Sequence, residues 1–212
     1  MKLVGFGCSF TYGSELLEPG GSWDQHHANT RYREANCWLG VLAEMWSATH
    51  NNRAEPANSN YAIQYQFAQW FATRDPNEPT VVCVAWTDPS RFSWLDDRWY
   101  HSGEIRNSGE QHFKESRKDW VNSDVDNSVW TDSAKLFVNS VCTAHNIPIL
   151  QFNALGEHGA SQYTNYFGVI NMRDFLVSEG TDMLASGGHP NEKGHRYFTK
   201  RLYDFAKERI IL

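Results

Sequence analysis

The feature of this sequence that most constrains its fold is the alternation of short, predominantly apolar runs with longer amphipathic segments. Strands buried on both faces form nearly continuous apolar runs, whereas half-exposed strands alternate apolar and polar residues. Three runs fit buried strands: 2–7 (KLVGFG), 80–86 (TVVCVAW) and 147–152 (IPILQF). Because strands that alternate with helices form parallel sheets covered on both sides, the sequence predicts an α/β fold.

Amphipathic helices are predicted between these runs. Residues 37–46 place large apolar side chains at helical spacing, a second helix begins near Ser59, and a third covers 134–142. A short strand fits between the first two helices. The last helix begins at Asn191, whose side chain suits the N-cap position. His195, within this helix, is expected at the surface or as a cap.

The chain has 212 residues, the size of one domain. We therefore expect a single domain over 1–212, a three-layer α/β/α sandwich with a central parallel sheet of about five strands. Residues 88–127 interrupt the alternation and show no sustained periodicity. Irregular segments of that length are uncommon in compact domains and are usually functional loops or disordered. A long irregular insertion is predicted at about 88–127.

Charge and composition exclude several classes of partner. Nineteen Lys and Arg against 25 Asp and Glu give a net charge of −6 without a basic run, so no nucleic-acid partner is expected. The apolar stretch after Lys2 is too short for a signal peptide or a membrane span, which predicts a soluble, cytoplasmic protein with no membrane partner. The four widely spaced cysteines favour reduced thiols over disulfides or zinc. No metal or organic cofactor is implied, and the oligomeric state stays open.

Ser9 is the first candidate for chemistry. It lies in GFGCSFTYG (5–13), where the first strand is expected to end. Acyl transfer needs a nucleophile, a base, a group that orients the base, and donors for the oxyanion. Far along the chain, GGHPNEKGHRYF (187–198) places His189 between a glycine and a proline, directly before the last helix. From these residues alone, Ser9 is either a turn residue or a nucleophile whose base is His189.

Four segments in order resemble the SGNH hydrolases, also called the GDSL family of esterases and lipases. They are GCSFTYG (7–13), NRAEPANSN (52–60), VVCVAWTDPSRF (81–92) and HPNEKGH (189–195). The resemblance implies the flavodoxin-like fold of that family, with Ser9 as nucleophile and His189 as base. It also implies an oxyanion hole formed by Ser9, Ala57 and Thr87.

The sequence departs from the family pattern at four positions. Cys8 stands for the usual aspartate, Ala57 for the glycine of the second block, Thr87 for the asparagine of the third, and Ser186 for the aspartate three residues before the histidine. Thr87 is shorter than asparagine and donates through a hydroxyl. Since no aspartate stands at 186, the second nitrogen of His189 needs another partner. Ser186, Asp182 or a backbone carbonyl are the candidates.

The resemblance implies a serine esterase that acts on small acyl esters, with O-acetyl groups on carbohydrate as a natural substrate. The candidates for contacting that substrate are Asn58, Trp86, Asp88 and Trp94. The simultaneous loss of the asparagine and the aspartate favours an alternative. In that alternative the chain is a catalytically degenerate SGNH domain that serves as a binding or structural module of a larger assembly.

Overall fold

The computed structural model describes residues 1–21, 30–91, 93–95, 99–101, 124–156, 163, 165–168 and 171–210. Its strands and helices alternate along the chain, as the apolar runs predict. In order they are β1 (Lys2–Phe6), α1 (Ser9–Tyr12), α2 (Thr30–Asn36), α3 (Trp38–Met45), β2 (Thr49–Asn52), α4 (Asn60–Thr73), β3 (Thr80–Trp86), β4 (Ser93–Leu95), β5 (Trp99–His101), α5 (Asp124–Ala144), β6 (Ile149–Asn153), α6 (Met172–Glu179), a short 3₁₀ helix (Thr181–Met183) and α7 (Glu192–Ala206).

The central sheet is parallel and has the strand order β2-β1-β3-β6. This confirms the predicted fold class, although the sheet has four strands in the described part of the chain where about five were expected. A single parallel bridge between Gln151 and Tyr166 lies at the outer edge of β6, in the place of a fifth strand. Phe167 N–H donates to Gln151 O and Gln151 N–H donates to Asn165 O.

Both faces of the sheet are covered, which explains the apolar runs. One layer contains α3, α6 and α7, and the other contains α4 and α5. The side chains of β3 alternate between the two layers, so that all of them from 81 to 86 are buried. Val81, Cys83 and Ala85 face the first layer, and Val82, Val84 and Trp86 face the second. The fold is therefore the expected three-layer α/β/α sandwich.

Two predicted helix starts are confirmed by their caps. Ser59 Oγ accepts from Ala62 N–H at the start of α4, and Asn191 Oδ1 accepts from Gly194 N–H at the start of α7. The predicted insertion is partly regular, since β4 and β5 pair antiparallel within it and α5 begins at Asp124. Its residues 92, 96–98 and 102–123 lie outside the described residues.

All four cysteines are buried free thiols, as the sequence predicts. Burial raises the pKa of Cys37 to about 11 and that of Cys142 to about 12. Since the thiolate is the reactive form, these two sulfurs are inert at neutral pH.

The order of the strands decides where a ligand can bind. The chain leaves β1 towards β2 at one edge and then returns across β1 to β3. Connections that leave neighbouring strands in opposite directions open a crevice at the carboxyl ends of those strands. Ser9 begins α1 just beyond the end of β1, and Thr87 directly follows β3. The crevice therefore lies where the sequence places its candidate residues.

Gly7 lies in the short connection between β1 and α1. We predict that Gly7→Ala destabilises the protein by about 1–3 kcal/mol. A Cβ at Gly7 would lie 2.2 Å from Thr11 Oγ1 and 2.8 Å from Thr11 Cβ. Thr11 has little room to move because it is fully buried and its hydroxyl accepts from Trp38 Nε1. Urea unfolding measures the change.

Gly168→Ala is the matched control, because a Cβ there meets nothing within 4 Å. We expect its free energy of unfolding to stay within about 0.5 kcal/mol of the wild type. Equal unfolding midpoints for Gly7→Ala and Gly168→Ala would contradict the close packing of Gly7 against Thr11.

Candidate active site

Ser9 is held in a single closed helical turn. The N–H groups of Thr11 and Tyr12 donate to Cys8 O, and those of Gly13 and Ser14 donate to Ser9 O. The turn ends at Gly13, whose φ of 83° lies in the left-handed region that glycine adopts easily. The side chain of Ser9 is buried, and its N–H donates to no other described residue. This N–H is thus available to an oxyanion.

Three side chains from other elements fix this turn. Trp38 Nε1 donates to Thr11 Oγ1 at 3.2 Å, and Asn52 Nδ2 donates to Thr11 O at 2.7 Å. The guanidinium of Arg33 donates to Tyr12 O and lies 3.6 Å over the Tyr12 ring. A cation at the last carbonyls of a helix is favourable, and stacking on the ring adds to it. The backbone around Ser9 is therefore rigidly placed.

Ala57 lies in a loop that is bound to the Ser9 turn. Asn58 Nδ2 donates to Gly7 O at 2.9 Å, and Glu55 N–H donates to the same carbonyl at 3.4 Å. Ala57 has a φ of 62°, which is unusual for a residue other than glycine. Its N–H, like that of Ser9, donates to no other residue in the described ranges. Ala57 thus has a backbone conformation that glycine, the residue of the SGNH pattern at this position, adopts easily.

Thr87 lies in the interior rather than at the crevice surface. It is completely buried, and the side chain of Asn60 binds both its N–H and its carbonyl oxygen. Asn60 Nδ2 donates to Thr87 O and Thr87 N–H donates to Asn60 Oδ1, both at 2.9 Å. This burial argues against the expected role of the Thr87 hydroxyl as an oxyanion donor.

The expected substrate contacts are corrected in part. Asn58 and Trp86 are fully buried, which excludes contact with a ligand in this conformation. The Asn58 amide donates to Gly7 O and Gln66 Oε1, and Trp86 Nε1 donates to Gln151 Oε1, so both stabilise the fold. Asp88 is half-buried and accepts from the N–H and hydroxyl of Ser90. Trp94 belongs to β4, but its side chain lies outside the described residues.

The ring of His189 packs against the Ser9 turn. The ring centroid lies 5.4 Å from that of Phe10, the residue after Ser9. Its Nδ1 lies 2.7 Å from Glu15 Oε2. The opposite nitrogen, Nε2, forms no hydrogen bond with any described residue, and the side chain is 26 % exposed. The histidine is therefore anchored through one nitrogen and open at the other.

Glu15 is the residue that sequence reasoning missed. Its Oε1 accepts from Gly187 N–H at 2.7 Å, and its Oε2 accepts from His189 N–H at 3.1 Å in addition to the Nδ1 contact. Burial by itself raises the pKa of Glu15, but these hydrogen bonds and the attraction of His189 outweigh it and lower the pKa below its ordinary value. Glu15 is consequently a carboxylate at neutral pH.

Ser186 and Asp182 do not take the place that the sequence assigned to them. Ser186 is exposed at the tip of a turn in which Gly188 N–H donates to Ala185 O. The carboxylate of Asp182 is 66 % exposed and pairs with Lys193. Glu15, and neither of these two residues, contacts Nδ1 of His189. No local sequence pattern joins Glu15 to His189, because the two residues lie 174 positions apart.

His195 is fully buried and caps a helix, so the cap alternative is the correct one. Its Nδ1 accepts from the N–H of Trp38, the first residue of α3, at 3.1 Å. That N–H has no acceptor within its own helix. Burial, together with the charge of His189, lowers the pKa of His195 to about 3. His195 is thus a neutral structural ring that aligns α3 with α7.

In the described ranges, no group of three His, Cys, Asp or Glu side chains could hold a metal ion. None of the described helices has the length and apolar character that crossing a bilayer requires.

No protein-family model matches this sequence, and no curated protein matches it significantly. Solved structures do. An acetyl xylan esterase, Est2A, from the rumen bacterium Butyrivibrio proteoclasticus superposes with a TM-score of 0.52 at 11 % identity, over 98 % of this chain and 63 % of that one. A lipolytic protein of the G-D-S-L family from Veillonella parvula gives a TM-score of 0.43 at 13 % identity, over 98 % and 97 %. The likeness to the esterase shows that the two chains share a fold.

Ala57→Gly is predicted to stabilise the protein by up to about 1 kcal/mol. The left-handed conformation costs roughly 1–2 kcal/mol for a residue with a Cβ, and the added freedom of glycine in the unfolded chain offsets part of that gain. Urea unfolding measures the change. Ala62→Gly, in the buried face of α4, is the matched control and should be destabilised by about 1 kcal/mol or more. Equal losses in both variants would contradict strain at Ala57.

His195→Asn is predicted to change how stability depends on pH. Since the folded pKa of about 3 lies below the ordinary value, the unfolded chain binds a proton first as the pH falls. The stability that neutral His195 confers is complete above about pH 6.5 and is lost progressively towards pH 3. We expect the variant to be less stable at pH 7, and the difference from wild type to shrink at pH 4.5.

Urea unfolding at pH 7, 5.5 and 4.5 tests this. His145→Asn is the control, because that ring is exposed and loses little hydration on folding. A difference for His195→Asn that stays constant or widens towards low pH would contradict a buried neutral ring.

Proposed function

We propose that the protein is a divergent SGNH hydrolase that acts as a serine esterase, with Ser9 as nucleophile and His189 as base. The observation that carries this proposal is the packing of the His189 ring against Phe10, the residue next to Ser9. Residues separated by most of the chain meet at the crevice where ligands of such sheets bind. The anchored Nδ1 and the open Nε2 of His189 suit a general base.

The reaction follows from these positions. His189 Nε2 takes the proton of Ser9 Oγ as the oxygen attacks the carbonyl carbon of the ester. The N–H groups of Ser9 and Ala57 stabilise the oxyanion. The imidazolium then gives its proton to the leaving alcohol, and a water molecule hydrolyses the acyl-serine by the same route. Since Thr87 is buried, one donor of the family pattern is missing, which typically costs about 10²- to 10³-fold in rate.

Small acyl esters are the proposed substrates, with O-acetyl groups on carbohydrate as the first candidate. The support is the fold shared with an acetyl xylan esterase, added to the sequence resemblance. A protein–substrate complex would place the acyl carbon within reach of Ser9 Oγ and the carbonyl oxygen near Ala57 N–H.

A binding or structural module is the second candidate, favoured by two observations. Thr87 is enclosed by the fold, and Ser9 Oγ forms no hydrogen bond with His189 in the described structure. Catalytic hydrogen bonds are often long without substrate, so the second observation does not exclude an enzyme. Activity measurements separate the two functions.

Ser9→Ala is predicted to abolish both covalent labelling by a fluorophosphonate and turnover of p-nitrophenyl acetate. Without the hydroxyl, no acyl-enzyme forms, and kcat should fall by about 10³-fold or more. Ser14→Ala is the matched control, because Ser14 is a buried serine at the end of the same turn and should label and turn over like the wild type. If the wild type neither labels nor turns over, or if Ser9→Ala keeps full activity, the module is the better function.

A further inference from the structure

We infer that Glu15 is the positioning residue for His189, supplied by the turn that follows the nucleophile instead of by the loop that carries the histidine. The inference rests on the proposed esterase function, since it assigns the third member of that site. In the family pattern, an aspartate three residues before the histidine does this work. Here that position is Ser186, which is exposed.

The hydrogen bonds leave the Glu15 carboxylate little freedom. One oxygen binds Gly187 N–H, and the other binds both the N–H and the Nδ1 of His189. The carboxylate therefore binds the backbone on either side of Gly188 and, at the same time, the imidazole ring of His189. With the side chain only 10 % exposed, water competes weakly for these contacts. The ring of His189 is fixed relative to its own loop and to the Ser9 turn.

This contact also decides which ring nitrogen carries the proton. An ionised carboxylate can only accept hydrogen bonds, so the nitrogen that faces it must be protonated. Nδ1 of neutral His189 is thus the N–H, and Nε2 keeps the lone pair that a base needs. When Nε2 takes the serine proton, the negative charge of Glu15 stabilises the imidazolium.

Gly187 makes room for the carboxylate. A Cβ at this position would lie 2.6 Å from Glu15 Oε1 and 2.7 Å from its Cδ. Contacts below 3.0 Å require a shift, and the flexible part here is the Glu15 side chain. Gly188 meets a separate demand, because its φ of 85° favours glycine. Gly187 is therefore explained by the Glu15 contact, and Gly188 by its own backbone conformation.

The backbone at Glu15 is strained in a way that the contact explains. Its φ is 67°, in the left-handed region, where glycine, asparagine and aspartate are tolerated far better than glutamate. Leu16, the next residue, is buried and holds the turn in place. Strain of this kind clusters at functional sites, where the surroundings impose it. The longer stem of glutamate reaches both Gly187 and His189.

Glu15→Gln tests the inference. We expect kcat for p-nitrophenyl acetate to fall by about 10²- to 10⁴-fold with KM nearly unchanged, because the amide can turn its NH₂ towards Nδ1 and favour the wrong tautomer. Glu18→Gln is the matched control, an exposed glutamate three residues on, and should keep wild-type activity. Asp182→Asn tests the earlier alternative and should also keep it. A wild-type kcat for Glu15→Gln, or a large loss in Asp182→Asn instead, overturns the inference.

Gly187→Ala provides a second route should Glu15→Gln fold poorly. It keeps the carboxylate but displaces it, so kcat should fall while circular dichroism stays that of the wild type. Glu15→Asp, with a shorter stem, should recover part of the activity that Glu15→Gln loses. Unchanged kcat in Gly187→Ala, with Gly168→Ala as its control, contradicts the inference.

Nuclear magnetic resonance of ring-¹⁵N-labelled histidine separates this inference from the proposed function. His189→Asn identifies the His189 signals, which should show the Nδ1–H tautomer in wild type and lose it in Glu15→Gln. If the wild type is inactive but shows this tautomer, the esterase proposal fails and the Glu15–His189 pair stands. If the wild type shows the Nε2–H tautomer, the inference fails whatever the activity.

Discussion

The parallel pairing of β1 with β3, in register from Lys2 opposite Thr80 to Phe6 opposite Val84, is the constraint on which the candidate site depends. It brings the carboxyl ends of two strands to one edge, although their sequences lie far apart. Because both faces of these strands are buried, a slip of one residue would exchange the two core layers, and the register is strongly specified. The Ser9 turn follows β1 and Thr87 follows β3, while the loop that carries Ala57 follows β2, which pairs with the other side of β1.

The segment around α7 contacts both this sheet edge and α3, its neighbour in the same layer, through two histidines. His189 lies before the helix and faces Glu15, and His195 lies inside it and accepts from Trp38 N–H. The same two residues thus perform different physical tasks: one ring stays accessible to solvent, and the other is a neutral acceptor in the core. Trp38 in turn donates to Thr11 in the Ser9 turn, so the packing of α3 and α7 and the geometry of the nucleophile are coupled.

Local signals predicted much of this arrangement. The continuous apolar run of β3 and the caps Ser59 and Asn191 depend on neighbouring residues, so the sequence reveals them directly. The Glu15–His189 contact depends on a loop closure over 174 residues and on a left-handed turn, and neither leaves a local pattern. Thr87 likewise depends on a distant residue, because the amide of Asn60 binds its main chain. In the described part of the chain, Tyr166 forms an isolated bridge at the sheet edge where a fifth strand was expected.

The separation between Glu15 and His189 has a consequence for folding. Closing so long a loop costs conformational entropy that must be recovered by the packing of the elements between its ends. The nucleophile turn can form early, since its hydrogen bonds join residues 8 to 14. The histidine lies directly before α7, which packs onto α3. The turn that carries the nucleophile is thus a local structure, whereas its contact with the base joins distant residues, the kind of contact that slows folding.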